Sequence, residues 1–300
     1  MRAFREAGVT RCSIGIQSFE DKVLKWMNRS HTGKDAVKAI NVATNIFNNG
    51  VTFDLIYGVP NQTLENLGNQ LNFALNLSDS HFSAYQLTVE YGTALYKQVQ
   101  DKSILMPDSE LMADMYEHIY SVSKSRGLDR YEISNYAKGS GNEGMHNKNY
   151  WNGTDYFGIG PGAHSRITVL DETLRSIKKS EINIRDPKNY INSVLTTQHA
   201  LAKSRMLSEN ESLNELTLFG LRSKYGVSDK SYKLIGDGSH TLKNYLLLDK
   251  VKKYTDQRLL LWGIDPTNNH SAGESDTYLT LAPTVKGMMV VDSIIADIIP

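Results

Sequence analysis

Cysteine is nearly absent: Cys12 is the one thiol in 300 residues. A disulfide framework within the chain is excluded, and with it the disulfide-stapled secreted class, so the composition points to a reducing compartment. A surplus of either charge is absent too, since Lys plus Arg is 33 and Asp plus Glu is 33. That balance gives no electrostatic reason to expect nucleic acid or an anionic membrane as partner. No apolar run is long enough to span a bilayer. His-Glu-x-x-His, P-loop, paired-cysteine and Ser-elbow motifs are missing, which leaves hydrolase and nucleotide-triphosphatase readings without support. The N-terminal MRAFREAGV has neither an apolar signal region nor the serine of a transit peptide.

What is present suits a folded core: 40% hydrophobic and 22% charged residues. The organising stretch is Arg11–Pro60. Two short apolar runs, Cys12–Ile16 and Phe53–Ile56, flank helical sequence. Thr32-Gly33-Lys34-Asp35 fits a capping box, and Ala36, Ile40, Ala43 and Phe47 then share one helical face. Val51–Gly58 reads as a strand covered on both faces. Thr63 caps a helix with Leu64, Leu67, Leu71 and Leu75 on one side, and His81–Thr88 is the next strand. Asp108 caps a long helix, and Leu128–Ser134 is a further strand. This alternation predicts an α/β fold with a parallel sheet and outer helices. Four strands fall short of the eight of a closed barrel, so an open or incomplete (β/α) barrel is expected. The helix around Phe4 and Ala7 is short for such a unit, and a chain that begins partway through a repeat is expected.

From Gly139 to Arg166 the composition turns to glycine, asparagine and aromatics. Such a loop is usually functional or disordered, and Tyr150, Trp151, Tyr156 and Phe157 argue for order. Domain boundaries are expected at 1–166, with 167–206 as polar connector and 207–300 as a second domain. In that last part Glu211–Leu221 and Asn244–Val251 read as helices. Arg258–Trp262 and Tyr278–Leu281 read as strands, and Val285–Ile299 as a closing helix. The order suggests a small winged-helix-like α+β domain. It lacks a basic recognition helix, so a structural or docking role is expected.

Gln17, Arg29 and Asp54 are polar where apolar periodicity requires nothing polar. Singly, each could cap a helix or decorate a surface. Together at strand C-terminal ends they point to a ligand, because α/β sites lie at that edge. An arginine fork suits a carboxylate, and an aspartate with a glutamine amide suits ribose hydroxyls. Gly158–Ala163 matches G-x-G-x-x-A, but Pro161 removes an N–H that a pyrophosphate would need, so a tight turn is the better reading. His146, among aromatics in HNKNYW, is the candidate ligand for a metal or haem iron; His164 in GAHS reads as a hydrogen-bonding residue.

RCSIGIQSF, NRSHT, FDLIYGVPNQT, SAYQLTVEYGTAL, RYEISNYA, HNKNYW and YFGIGPGAHS stand in this order. Together they resemble the HemN/HemW group of radical S-adenosylmethionine proteins over nearly the whole chain, most closely over residues 5–166. The resemblance implies a partial radical-SAM barrel with S-adenosylmethionine at the strand ends. Arg29 would hold the methionine carboxylate, and Gln17 and Asp54 the ribose side. Thr88 would mark the adenine contact, and His146 the haem ligand. It implies a haem chaperone that passes haem to a respiratory acceptor, in mitochondria or otherwise the cytoplasm. A coproporphyrinogen III oxidase-like enzyme is the rival and an inactive scaffold the third reading. The departure is the [4Fe–4S] motif Cys-x-x-x-Cys-x-x-Cys. Cys12 alone cannot supply its ligands, so an upstream part is expected to be missing, or the radical chemistry to have been lost.

Overall fold

Residues 11–88 form three parallel strands with intervening helices, as the alternation predicts. The computed structural model describes residues 1–264 and 278–300, which divide into two units, Met1–Glu143 and Gly144–Pro300. The first begins with a short helix, α1 (Arg2–Glu6), then β1 (Cys12–Gln17), α2 (Asp21–Trp26), α3 (Gly33–Phe47) and β2 (Val51–Tyr57). It continues with α4 (Leu64–Leu77), β3 (His81–Gln86), α5 (Ala94–Gln100), α6 (Ser109–Ser125), β4 (Asp129–Glu132) and β5 (Asn135–Ala137). The Thr32 box closes α3: the hydroxyl accepts from the Asp35 N–H and the Asp35 carboxylate accepts from the Thr32 N–H. Thr63 and Asp108 cap α4 and α6 in the simpler way.

β1, β2 and β3 pair in parallel, Ile14 opposite Phe53 and Phe53 opposite Phe82. Strand side chains alternate between faces. One set (Ile16, Phe53, Leu55, Phe82, Ala84) meets Ile40, Leu67, Leu71, Met115 and Ile119 from the helices in one core. Each fully buried large side chain there is worth about 1.5–3 kcal/mol of transfer free energy. The other set (Ser13, Gly15, Gln17, Thr52, Asp54, His81, Ser83, Tyr85) is mostly polar and occupies the face away from the helices.

The fourth strand departs from expectation. The sheet order is β1-β2-β3-β5-β4, with β5 antiparallel to both neighbours. Leu128–Ser134 runs in the same direction as β1–β3, reached through α6, but β5 lies between it and β3, so it is the first arm of a hairpin rather than a direct partner of β3. Its turn is held by the Glu132 Oε2, which accepts from the Ser134 N–H at 2.8 Å. Reversal after so few residues leaves no room for a crossover helix.

The second unit starts in the glycine-rich stretch, which therefore does not belong with the barrel strands. It contains α7 (Met145–Trp151), β6 (His164–Leu170), β7 (Ser176–Asn183), α8 (Pro187–Thr197) and β8 (Leu201–Met206). The three strands form one antiparallel sheet, β6-β7-β8, so residues 167–206 are ordered structure rather than connector. Their strands are only partly buried and β8 is exposed throughout, so little hydrophobic alternation marks them. Gly158–Ala163 is the tight turn expected. A Cβ on Gly158 would come within 2.4 Å of the His164 carbonyl oxygen, and Asn183 Nδ2 donates to the carbonyls of Gly158 and Gly160.

The remainder holds α9 (Glu209–Leu221), β9 (Val227–Ser228), α10 (Asp229–Tyr232), α11 (Leu242–Tyr245), α12 (Leu248–Asp256), β10 (Leu260–Ile264), β11 (Leu279–Pro283) and α13 (Val291–Ile298). The sequence around Asn244–Val251 is two helices, broken at Leu246–Leu247, rather than one. β10 and β11 make the expected antiparallel wing, with β9 as a third strand on β11. Among the described residues, no helix is long and apolar enough to cross a membrane.

Candidate functional site

Of the predicted cofactor residues, Gln17 and Asp54 lie on strands, and Arg29 and Thr88 on the loops that follow. Gln17 ends β1 with a φ of 64°, and the Ser18 N–H bonds back to the Ile16 carbonyl at 2.7 Å. This left-handed residue ends the strand abruptly. The Gln17 amide folds back over Gly15, whose absent Cβ would stand 2.9 Å from Gln17 Nε2. Gly15 thus leaves room for the amide on the polar face.

Asp54 stands on that face in the middle of β2, opposite Ser83 of β3. It is half-buried. Burial lifts its carboxyl above the usual value, while the hydroxyls of Ser83 and Ser13 pull the other way. Thr88 lies two residues past β3 and is exposed, its hydroxyl reaching the Gln86 carbonyl at 3.5 Å. Arg29 is exposed in the loop from α2 to α3. That loop is anchored: His31 Nε2 lies 3.1 Å from the Ile16 carbonyl oxygen, and the Gly33 N–H donates to Asp21 at 2.8 Å. Gln17 and Asp54 thus share one face of adjacent strands. Arg29 and Thr88 sit on the segments that follow β1 and β3.

The structure adds residues that sequence reading passed over. Ser83 donates to Asn135 Oδ1 at 2.9 Å, and Asn135 Nδ2 donates to Glu132 at 2.6 Å. Tyr85, 42% exposed, has its hydroxyl lifted by burial and by the nearby Asp54 and Glu132, against hydrogen bonding from Ser83. Deeper, Thr52 Oγ1 meets His81 Nδ1 and Tyr131 meets His81 Nε2 at 2.6 Å. His31 had a signal, lying in NRSHT beside Arg29. Ser83, Asn135 and Glu132 had none, because their meaning depends on pairing across some fifty residues of sequence.

In the second unit, His146 is exposed in the first turn of α7. Its ring stands edge-on to Tyr150 at 4.7 Å, and Tyr150 in turn to Tyr156 at 4.4 Å. Behind the tyrosines is a cavity of about 330 Å³ with Tyr150, Tyr156, Arg166, Lys178, Phe219 and Ile235 in its lining. Its cations are paired, Arg166 with Glu215 at 2.7 Å and Lys178 with Asp155 at 2.6 Å. Among the described residues, no group of three or more His, Cys, Asp or Glu is placed to hold a metal.

A parallel sheet with helices on one face and polar residues along the other, near the strand C-terminal ends, agrees with the family comparison. The Radical SAM superfamily model matches residues 1–74. The chain belongs to the radical S-adenosylmethionine superfamily, in its HemN/HemW group. It is 33% identical over 300 residues to the mouse protein named "Radical S-adenosyl methionine domain-containing protein 1, mitochondrial", covering 100% of this chain and 64% of that one. It is 35% identical over 232 residues to the heme chaperone HemW of Bacillus subtilis, covering 77% of this chain and 59% of that one. The solved structure of coproporphyrinogen III oxidase (HemN) from Escherichia coli superposes with a TM-score of 0.66 at 17% identity, over 98% of this chain and 64% of that one. That likeness establishes the fold alone. The chain spans less than two thirds of the length of these relatives.

Proposed function

We propose that this chain is the haem-binding part of a HemW-like haem chaperone, with His146 as the haem ligand. The observation that carries the reading is an accessible imidazole on α7, backed by two tyrosine rings. The name "Heme chaperone HemW" of relatives such as the Bacillus subtilis protein supports it. A neutral imidazole is a common axial ligand, and the rings offer a flat apolar group something to pack on. The recipient would be a haem-accepting respiratory protein, and the compartment mitochondrial, as in the name of the mouse relative.

The sheet of the first unit suits S-adenosylmethionine. Gln17 and Asp54 would meet the ribose hydroxyls, Arg29 the methionine carboxylate, and the backbone near Thr88 the adenine. Half-buried polar groups along a sheet edge fit a nucleoside. The [4Fe–4S] cluster does not fit this chain's own residues: Cys12 is a single thiol, and burial raises its pKa, disfavouring the thiolate.

Haem titration followed by the Soret band tests the chaperone reading. The chain is expected to bind haem, and His146→Ala to lose or shift the band. A His146→Ala chain with an unchanged spectrum and affinity removes His146 as ligand, and a chain that takes up no haem removes the reading.

A further inference from the structure

The polar face of the first sheet carries a directed chain of hydrogen bonds. Glu132 Oε2 accepts from the Ser134 N–H and from Asn135 Nδ2. Because that oxygen is an acceptor, the amide nitrogen of Asn135 must face it and the amide oxygen must face Ser83. Oδ1 only accepts, so the Ser83 hydroxyl donates to it, at 2.9 Å. A serine hydroxyl has one proton. Asp54 and Tyr85 are the other polar neighbours of Ser83, and what Ser83 offers them is lone pairs. A carboxylate there faces another acceptor, whereas a carboxylic acid donates into it.

We propose that Glu132 is a positioning residue which, through Asn135 and Ser83, holds Asp54 as the neutral acid. Asp54 then meets a ribose hydroxyl as hydrogen-bond donor. The second clause rests on the reading of Asp54 as a cofactor contact. The relay itself is a property of the protein alone.

The setting agrees. The titratable groups around Asp54 are Tyr85 on β3, Glu132 at the end of β4, and His81 one pair further down; β1 contributes Ser13 and Gln17, which carry no charge. None of these is a cation that would hold Asp54 ionised. Burial works in the same direction, since a half-buried carboxylate gives up hydration. With the Ser83 proton committed to Asn135, the counterweight of a hydroxyl donating to the carboxylate is left to Ser13 alone, and the pull of Ser83 on the carboxyl becomes available only when Asn135 releases it.

The test reads the Asp54 ¹³Cγ shift against pH in the 300-residue chain, assigned by the resonance missing in Asp54→Asn. The wild-type midpoint is expected above the ordinary aspartate value of about 3.9. Asn135→Ala changes no charge and frees the Ser83 proton to turn to Asp54. The midpoint should then fall by about one pH unit, a tenfold change in proton affinity.

Ser83→Ala separates the two hydroxyl orientations by sign and removes only one oxygen. If Ser83 accepts from the acid, its loss lowers the midpoint. If Ser83 donates to the carboxylate, its loss raises it. An unmoved midpoint in Asn135→Ala, or an unmoved or raised one in Ser83→Ala, overturns the relay, and either variant suffices should the other fail to fold. Calorimetric titration of S-adenosylmethionine into wild type and Asp54→Ala bears on the ribose contact separately. Equal affinities overturn that contact and leave the relay standing.

Discussion

The Tyr131 hydroxyl lies 2.6 Å from His81 Nε2, on the side of the ring away from Thr52. The imidazole is thus satisfied on both nitrogens while buried. Burial, and secondarily the charge of Arg11, push its pKa down to about 4, with Glu143 opposing. An unfolded histidine takes a proton near 6.5, so between about pH 6.5 and 4 the unfolded chain binds more protons than the folded one. Stability of the first unit is therefore fully present above that window and falls with pH through it, by at most about 1.4 kcal/mol per pH unit. Amide exchange across β2 and β3, corrected for intrinsic rates, reads this unit alone. Protection should drop from pH 7 to 5 in wild type and drop less in His81→Leu; equal drops count against His81 as the source.

Gly33 follows the cap Thr32, and a Cβ there would stand 2.2 Å from the Phe19 carbonyl oxygen. Helix propensity favours alanine over glycine by about 1 kcal/mol. The close approach reverses the sign, because the obstructing atom is backbone. Gly33→Ala should destabilise the first unit and loosen the loop that carries Arg29, whereas Thr32→Ala should cost about 1 kcal/mol through the cap alone. A Gly33→Ala chain with a raised urea midpoint, read on Trp26 fluorescence in a background lacking the other tryptophans, would show that the contact relaxes freely.

Much of this unit was legible because its signals are local. The Thr32–Asp35 box and the Ala36, Ile40, Ala43, Phe47 stripe need only helical spacing. Gln17 and Asp54 stood out as polar residues in apolar runs. Gly33 hid inside the capping box, since its reason is the Phe19 carbonyl on another segment. The β4–β5 hairpin was missed because RYEISNYA reads as one strand with a polar tail, and the reversal depends on Glu132 folding back onto Ser134. Residues 167–206 were missed because their burial is too slight to print an alternation. Arg29 stood out with Gln17 and Asp54, in the connection after the first strand, and His146 through its setting among aromatics and the resemblance.

Phe82 lies between two rings, Phe53 at 5.8 Å and 18° and Tyr136 at 4.8 Å and 7°. The stack crosses from the parallel pair β2–β3 to the antiparallel β5, tying the hairpin to the barrel strands. Removing its centre deletes transfer energy and leaves a cavity, a loss of about 3–5 kcal/mol for Phe82→Ala. Exchange protection of the β3 and β5 amides should fall together. Loss confined to β3 would mean that the hairpin does not depend on the stack.

Arg166 holds Glu215 with two bonds, Nε to Oε2 at 3.0 Å and Nη2 to Oε1 at 2.7 Å, and its third nitrogen donates to Ser180 Oγ at 2.9 Å. The side chains are 20% and 33% exposed, so solvent screens them less than it screens a surface pair. Lysine keeps the charge but loses the fork, and cannot serve Glu215 and Ser180 in this geometry. Arg166→Lys should therefore cost about 1–2 kcal/mol, the scale of a lost hydrogen bond to a charged group. Lys252 and Asp256, an i,i+4 pair with side chains 72% and 64% exposed, make the contrast, and Lys252→Ala should change stability little. Exchange protection of the β6 and β7 amides measures the first, and that of the α12 amides the second. Equal effects from both substitutions would mean that the fork around Arg166 adds nothing beyond its charge.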